Sequence, residues 1–181
     1  WDVSSVIDMS HMFRDAELFN ADLSGWDVSK VEYFNHMFFN ANAFNQDLSS
    51  WDVSSGINMQ TMFANSQINF DITSWNVSNV TNMQNLFKNH TNFNQDLSGW
   101  DVSSVTNMHG MFNNANAFNQ DLSSWDVSSV IDMSYMFYNA NAFNQDLSSW
   151  DLSSVTNMSD IYNYTGLSDA NKCLIDGTWS S

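Results

Sequence analysis

Large apolar side chains fall at fixed places along this chain, and the interval between them hardly changes. Tryptophan stands at positions 1, 26, 51, 75, 100, 125 and 150, giving steps of 25, 25, 24, 25, 25 and 25 residues. A constant period in that range marks a stacked repeat, in which each unit contacts mainly its neighbours. Two finer rhythms alternate within one period. Trp100 and Val102 are two residues apart, the interval of a strand with one buried face, and Leu97 precedes them. After Ser103-Ser104, the residues Val105, Met108, Met111, Phe112 and Ala115 step by three or four, the interval of one helical face. Ser104 or Asn107 offers a side-chain oxygen to cap such a helix. Phe118 then returns to the core, and Asn119-Gln120-Asp121 turns the chain toward Leu122 and the next period.

The pattern predicts a repeat solenoid of about seven coils, each with one short parallel strand and one short helix, starting at residues 1, 26, 51, 75, 100, 125 and 150. Apolar residues at Leu97, Trp100 and Val102 reproduce the spacing of a leucine-rich repeat. A lone coil buries too little to offset about 1 to 2 kcal/mol of backbone entropy per ordered residue, so stability has to be shared between stacked coils. The solenoid is expected over residues 1–162 and a C-terminal cap over 163–181, where Ser168 can start a helix turning Ala170, Cys173 and Leu174 inward. Trp179 falls out of step and is expected to pack over the last coil.

The third period is one residue short, with Ile68 where Phe belongs and Gly56 where Val belongs, so a tightened turn is expected there. His90 takes a position that elsewhere holds Ala. At the other end, the edge at Trp1 to Val3 is expected to be covered by further chain or by another subunit, because an uncovered edge invites pairing.

Twenty acidic residues against four basic ones give a formal charge of −16, which repels nucleic-acid phosphates and anionic lipid headgroups. The single cysteine, Cys173, cannot form a disulfide within the chain. No apolar run approaches the roughly 18 to 20 residues of a membrane span.

The run Trp100-Asp101-Val102-Ser103-Ser104-Val105-Thr106-Asn107-Met108, with Met111-Phe112, Ala115 and Phe118-Asn119-Gln120-Asp121-Leu122-Ser123-Ser124, resembles the repeat of the BspA-like bacterial surface proteins. Variants of it extend over residues 1 to about 162, and Gly166-Leu167-Ser168-Asp169-Ala170-Asn171-Lys172-Cys173 is similar to a tail seen in such proteins. The resemblance implies a leucine-rich-repeat relative at a cell surface or outside the cell, with adhesion or binding as its role.

Candidate chemistry is sparse. Asp27, Asp52, Asp101, Asp126 and Asp151 follow their tryptophans and form an outward acidic row. Stacked about 5 Å apart, such carboxylates repel by roughly 0.8 kcal/mol per pair in bulk water, so they either cap turns or attract a divalent cation such as calcium. No Asp-rich loop supplies a dedicated calcium cage. The asparagines Asn20, Asn45, Asn69, Asn94, Asn119 and Asn144 are expected to form a hydrogen-bond ladder from coil to coil. Side-chain variation gathers at His11, Arg14, His36, Phe39, Lys88, Tyr135 and Tyr138, the expected interaction surface, with Phe39 facing solvent. His11 and His36 share a phase but lack a third metal ligand. Sequons at Asn76, Asn79, Asn89, Asn157 and Asn163 permit N-glycosylation. No nucleophile–base set or phosphate loop occurs, so the chain is expected to be non-catalytic, without a cofactor. Its expected role is adhesion to protein or polysaccharide at a cell surface; the alternative is a structural subunit that self-associates end to end through its N-terminal edge.

Overall fold

A computed structural model describes residues 1–179, except the side chain of Trp179, whose expected packing lies outside the described residues. Regular secondary structure is almost absent. Among the described residues one α-helix forms, α1 (Asp169–Trp179), and no strand. Single parallel bridges join Asp8 to Tyr33, then Asn58, Asn82, Asn107, Asp132 and Asn157 in succession. The strand-plus-helix coil of a leucine-rich-repeat-like solenoid is therefore not what this chain builds. Its coils are made of turns, stacked at the period of the tryptophans.

The hydrogen bonds show why. In the coil after Trp100, one set of amides closes three-residue steps: Met111 N to Met108 O (3.1 Å), Asn113 N to Gly110 O (3.0 Å) and Ala115 N to Phe112 O (3.0 Å). The amides between them leave the coil, with Met108, Gly110, Phe112 and Asn114 donating to Asp132, Ser134, Met136 and Tyr138, each at 2.9 Å. A helix would commit every amide to the carbonyl four residues back. Here positive φ angles at Gly110 (59°) and Asn114 (59°) break the helix and turn alternate amides along the stack. The bridges thus fall inside the segment whose apolar interval reads as helical.

The expected strand fails for a related reason. Trp100 N donates to Leu97 O within its own coil (3.0 Å), so that amide cannot enter a ladder. The indole makes the cross-coil bond instead. Trp51, Trp75, Trp100, Trp125 and Trp150 each donate Nε1–H to the Leu or Ile carbonyl 27 or 28 residues earlier, at 2.9 to 3.2 Å. Those five rings are buried, which satisfies their one polar atom inside the core.

Apolar positions nevertheless point inward. Val105, Met108, Met111, Phe112 and Ala115 are all fully buried. Phe13, Phe38, Phe63, Phe87, Phe112 and Phe137 stack in one column with ring centroids 5.5 to 6.3 Å apart. A second column, Phe93, Phe118 and Phe143, lies against the first at 4.0 Å. Offset stacking of this kind adds roughly 0.5 to 1.5 kcal/mol per pair beyond burial.

Helix α1 closes the C-terminal side of the core. Ser168 Oγ accepts from Asn171 N (3.2 Å), and Asn171 Nδ2 donates to Asn144 O (2.9 Å). Tyr162, at the phase of the Phe column, donates its hydroxyl to Asp176, which pushes the phenol up to about 12. The inward residues differ from expectation: Leu167 and Ile175 are buried, whereas Ala170, Cys173 and Leu174 are exposed. Asn171, half-buried, and Ile175, four residues apart, form the inner face, which places Leu174 about 100° away from it. No described helix is long and apolar enough to cross a membrane.

Candidate interaction surface

Each coil carries two residues with positive φ, four apart, and these define one long strip along the stack, buried at Thr61 and Gly110 and half-buried or exposed elsewhere. The first series is His11, His36, Thr61, Asn85, Gly110, Tyr135 and Asp160, with φ between 54° and 62°. The second is Asp15, Asn40, Asn65, Asn89, Asn114, Asn139 and Tyr164, with φ between 57° and 61°. Asn and Asp tolerate this conformation because their short polar side chains bond locally. Here the side chains also bond to one another. Asn40 Nδ2 donates to Asp15 Oδ1, Asn65 to Asn40, Asn89 to Asn65, Asn114 to Asn89 and Asn139 to Asn114, at 2.6 to 2.7 Å.

This rail of asparagines escapes the sequence reading, which treats Asn113-Asn114 as part of a helix. The available signal is an Asn kept at one phase in a run that otherwise suits a helix. The ladder expected at Asn20, Asn45, Asn69, Asn94, Asn119 and Asn144 forms on a different pattern. Asn45 N donates to Asn20 Oδ1, Asn69 N to Asn45 Oδ1, Asn119 N to Asn94 Oδ1 and Asn144 N to Asn119 Oδ1, at 2.8 to 3.0 Å, and all six asparagines are exposed.

Along this strip the varied side chains gather in two groups. At the N-terminal end, the His11 and His36 rings stack at 4.6 Å, and Arg14 Nη1 lies 3.4 Å from His11 Nδ1. The Arg14 guanidinium sits 5.4 Å from the Phe39 ring centre and forms an ion pair with Asp15 at 3.2 Å. Phe39 is therefore half-buried, not the solvent-facing ring the sequence suggests. Burial holds His36 below its ordinary pKa, and the neighbouring His11 and Arg14 push in the same direction. At the C-terminal end, His109, Tyr135, Tyr138 and Tyr164 form an edge-to-face chain at 5.7, 5.6 and 5.3 Å. A hydrogen bond to Asp160 raises Tyr135 above its ordinary pKa. Lys88 lies on the strip between the groups, half-buried. His109 and Tyr164 are the members that sequence reasoning misses.

The acidic row is occupied by its own backbone. Ser29, Ser54, Ser103, Ser128 and Ser153 donate their amides to Asp27, Asp52, Asp101, Asp126 and Asp151 at 2.9 to 3.1 Å, closing a small turn after each tryptophan. Hydrogen bonds from the serine hydroxyl and amide hold all five carboxyls below the usual range, against repulsion from row neighbours at Asp52, Asp101 and Asp151. No group of three or more His, Cys, Asp or Glu among the described residues could hold a metal ion. Among the sequons, Asn76 and Asn79 are exposed, as is Asn163. The Nδ2 atoms of Asn79, Asn89, Asn157 and Asn163 donate to Ser54 O, Asn65 Oδ1, Asp132 Oδ2 and Asp160 Oδ1, so a glycan at any of these four displaces a bond.

A family profile described as "Mycoplasma protein of unknown function, DUF285" matches the chain over residues 1–70 and again over 58–173. No curated protein and no solved structure matches it.

Proposed function

This chain belongs to the DUF285 family, and we propose that it is a non-catalytic binding module of BspA-like surface-protein type, acting outside the cell or at its surface. The supporting observation is the distribution of side chains. The turns after each tryptophan repeat Asp and Ser with little change, whereas the asparagine-railed strip carries His11, Arg14, His36 and Phe39 at one end and Tyr135 and Tyr138 at the other. Binding surfaces draw their energy from aromatic and arginine anchors, and these are the residues the strip concentrates. Its partner on this reading is a protein or polysaccharide contacted along several coils. The decisive experiment screens the chain on glycan and cell-surface protein arrays, beside Arg14→Ala/Phe39→Ala and Tyr135→Ala/Tyr138→Ala. Binding lost in one or both double variants supports the strip. Absence of any binding, or binding indifferent to both, refutes it.

A further inference from the structure

The irregularities of the chain converge on one place. The third period is a residue short, and it brings Ile68 to the level where Phe44 and Phe93 stand in the coils on either side. The second phenylalanine column is thereby interrupted. Phe70, buried in the same short coil, packs edge-on to Phe63 at 6.1 Å instead, and in the fourth coil His90 is 1% exposed at a phase held by Ala41, Ala115 and Ala140 elsewhere. Its ring packs edge-on to Phe93 at 5.2 Å and to Phe87 at 6.5 Å. Thr61, in the same short coil, has φ 58°, a conformation that β-branched residues rarely hold.

The His90 ring has one polar partner on another residue. Nε2 lies 3.1 Å from Ile68 O, and a carbonyl can only accept, so Nε2 carries the hydrogen and Nδ1 bears the lone pair. Nδ1 is buried with no partner. A proton arriving there would place a charge among Ile68, Phe87 and Phe93, with no other residue to receive the new N–H. Among the described residues no charged group acts on the ring to offset it. The side chains lining the adjacent hollow are Asn45, Gln67, Ile68, Asn69 and Asn92, and the fifth coil contributes Asn114, Ala115 and Asn116 at this phase. Lys88, two residues away in the chain, would only add repulsion.

We propose that the boundary between the third and fourth coils is an acid-released seam, with His90 as the group that takes up the proton. Burial lowers His90 from 6.5 to about 4, outweighing the carbonyls of Ile68 and His90 itself. The closed boundary requires the neutral ring, so its stability is complete above pH 6.5 and declines as pH falls toward about 4. Opening separates Thr61, Phe63 and Asn65 amides from Gln84, Leu86 and Lys88 carbonyls while the Phe-stacked coils beyond stay together.

Hydrogen exchange of the full chain at pH 7.5 and pH 5, corrected for intrinsic rates, tests this. The two pKa values predict about 30-fold more opening at pH 5 for Thr61, Phe63 and Asn65. Gly110, Phe112 and Asn114, which bridge the fifth and sixth coils, are expected to stay unchanged, and His90→Leu abolishes the pH effect. An equal increase at both boundaries, or an undiminished increase in His90→Leu, overturns the seam. If His90→Leu does not fold, NMR titration of the wild-type imidazole decides: a midpoint near 4 together with selective opening supports it, and a midpoint near 6.5 refutes it.

Discussion

Replacing Asn114 tests the turn-built coil most directly, because one side chain there does two separable jobs. Its Nδ2 donates to Asn89 Oδ1 and its Oδ1 accepts from Asn139 Nδ2, both at 2.7 Å. These part-buried bonds contribute about 1 kcal/mol each. The backbone also holds φ 59°, a conformation that costs an ordinary L-residue about 1 to 2 kcal/mol and glycine nothing. Asn114→Ala loses both bonds and gains the strain, so about 3 kcal/mol of stability should go. Asn114→Gly loses the bonds and avoids the strain, at some entropic cost, and should be milder by about 1 kcal/mol. At roughly 2 to 4 °C per kcal/mol for a chain this long, the alanine variant melts about 6 to 12 °C lower. Thermal unfolding followed by tryptophan fluorescence reads both. A helix would give the opposite order, since alanine favours helices over glycine by about 1 kcal/mol. Asn114→Ala melting above Asn114→Gly would therefore refute the turn geometry.

Other consequences are open to the same assays. Gly110 has φ 59°, and a Cβ there would lie 2.3 Å from Asn85 Oδ1, so Gly110→Ala should cost about 1 to 2 kcal/mol even after Asn85 swings aside. Thr61→Gly at the same phase should gain roughly 0.5 to 1 kcal/mol by relieving its strain, seen as a higher melting temperature. The depressed carboxyls of the acidic row bind protons more weakly folded than unfolded, so their contribution is present above pH 3.8 and lost as pH falls through the folded values. Asp101→Asn keeps the acceptor, as Asn76 does toward Ser78 N, but loses that carboxyl's share of the stability at pH 7, so the melting temperature should differ less between pH 7 and pH 3 than in the parent. Tyr162→Phe removes the hydroxyl that holds Asp176 and should raise proteolysis within α1 while leaving the tryptophan transition in place.

Much of the burial was legible in the sequence, and the backbone that achieves it was not. Val105, Met108, Met111, Phe112 and Ala115 point inward as their spacing requires. A step of three or four residues, however, describes a chain of three-residue turns as well as a helix, since both return a side chain to one face at that interval. The deciding signal was conformational. Asn40, Asn65, Asn89, Asn114 and Asn139 recur where a helix gains nothing from asparagine, and a left-handed residue every coil explains them. The Trp-x-Val alternation misled for a different reason: two residues are too few to separate a strand from a turn, and the indole nitrogen supplies the cross-coil bond instead.

The candidate surface shows the same division. Same-phase residues His11 and His36 do meet, because any residue one period along sits one coil along. Whether a residue at that phase is exposed was not predictable from phase alone. Phe39 is drawn under Arg14 through a cation–π contact whose partner lies 25 residues earlier, and Tyr164 joins Tyr138 only because the last coil keeps the turn geometry after its sequence has departed from the pattern. The asparagine rail links both groups to the core's spacing: each rung fixes the distance between adjacent coils, so an anchor on one coil is held at a set interval from the next. A partner that engages several coils would then meet a pre-spaced row of side chains, and would lose little entropy in ordering it. Removing a central rung with Asn89→Ala should consequently weaken binding that spans the His11 and Tyr135 ends while sparing binding confined to one end. Equal loss for both would mean that the rail serves stability alone.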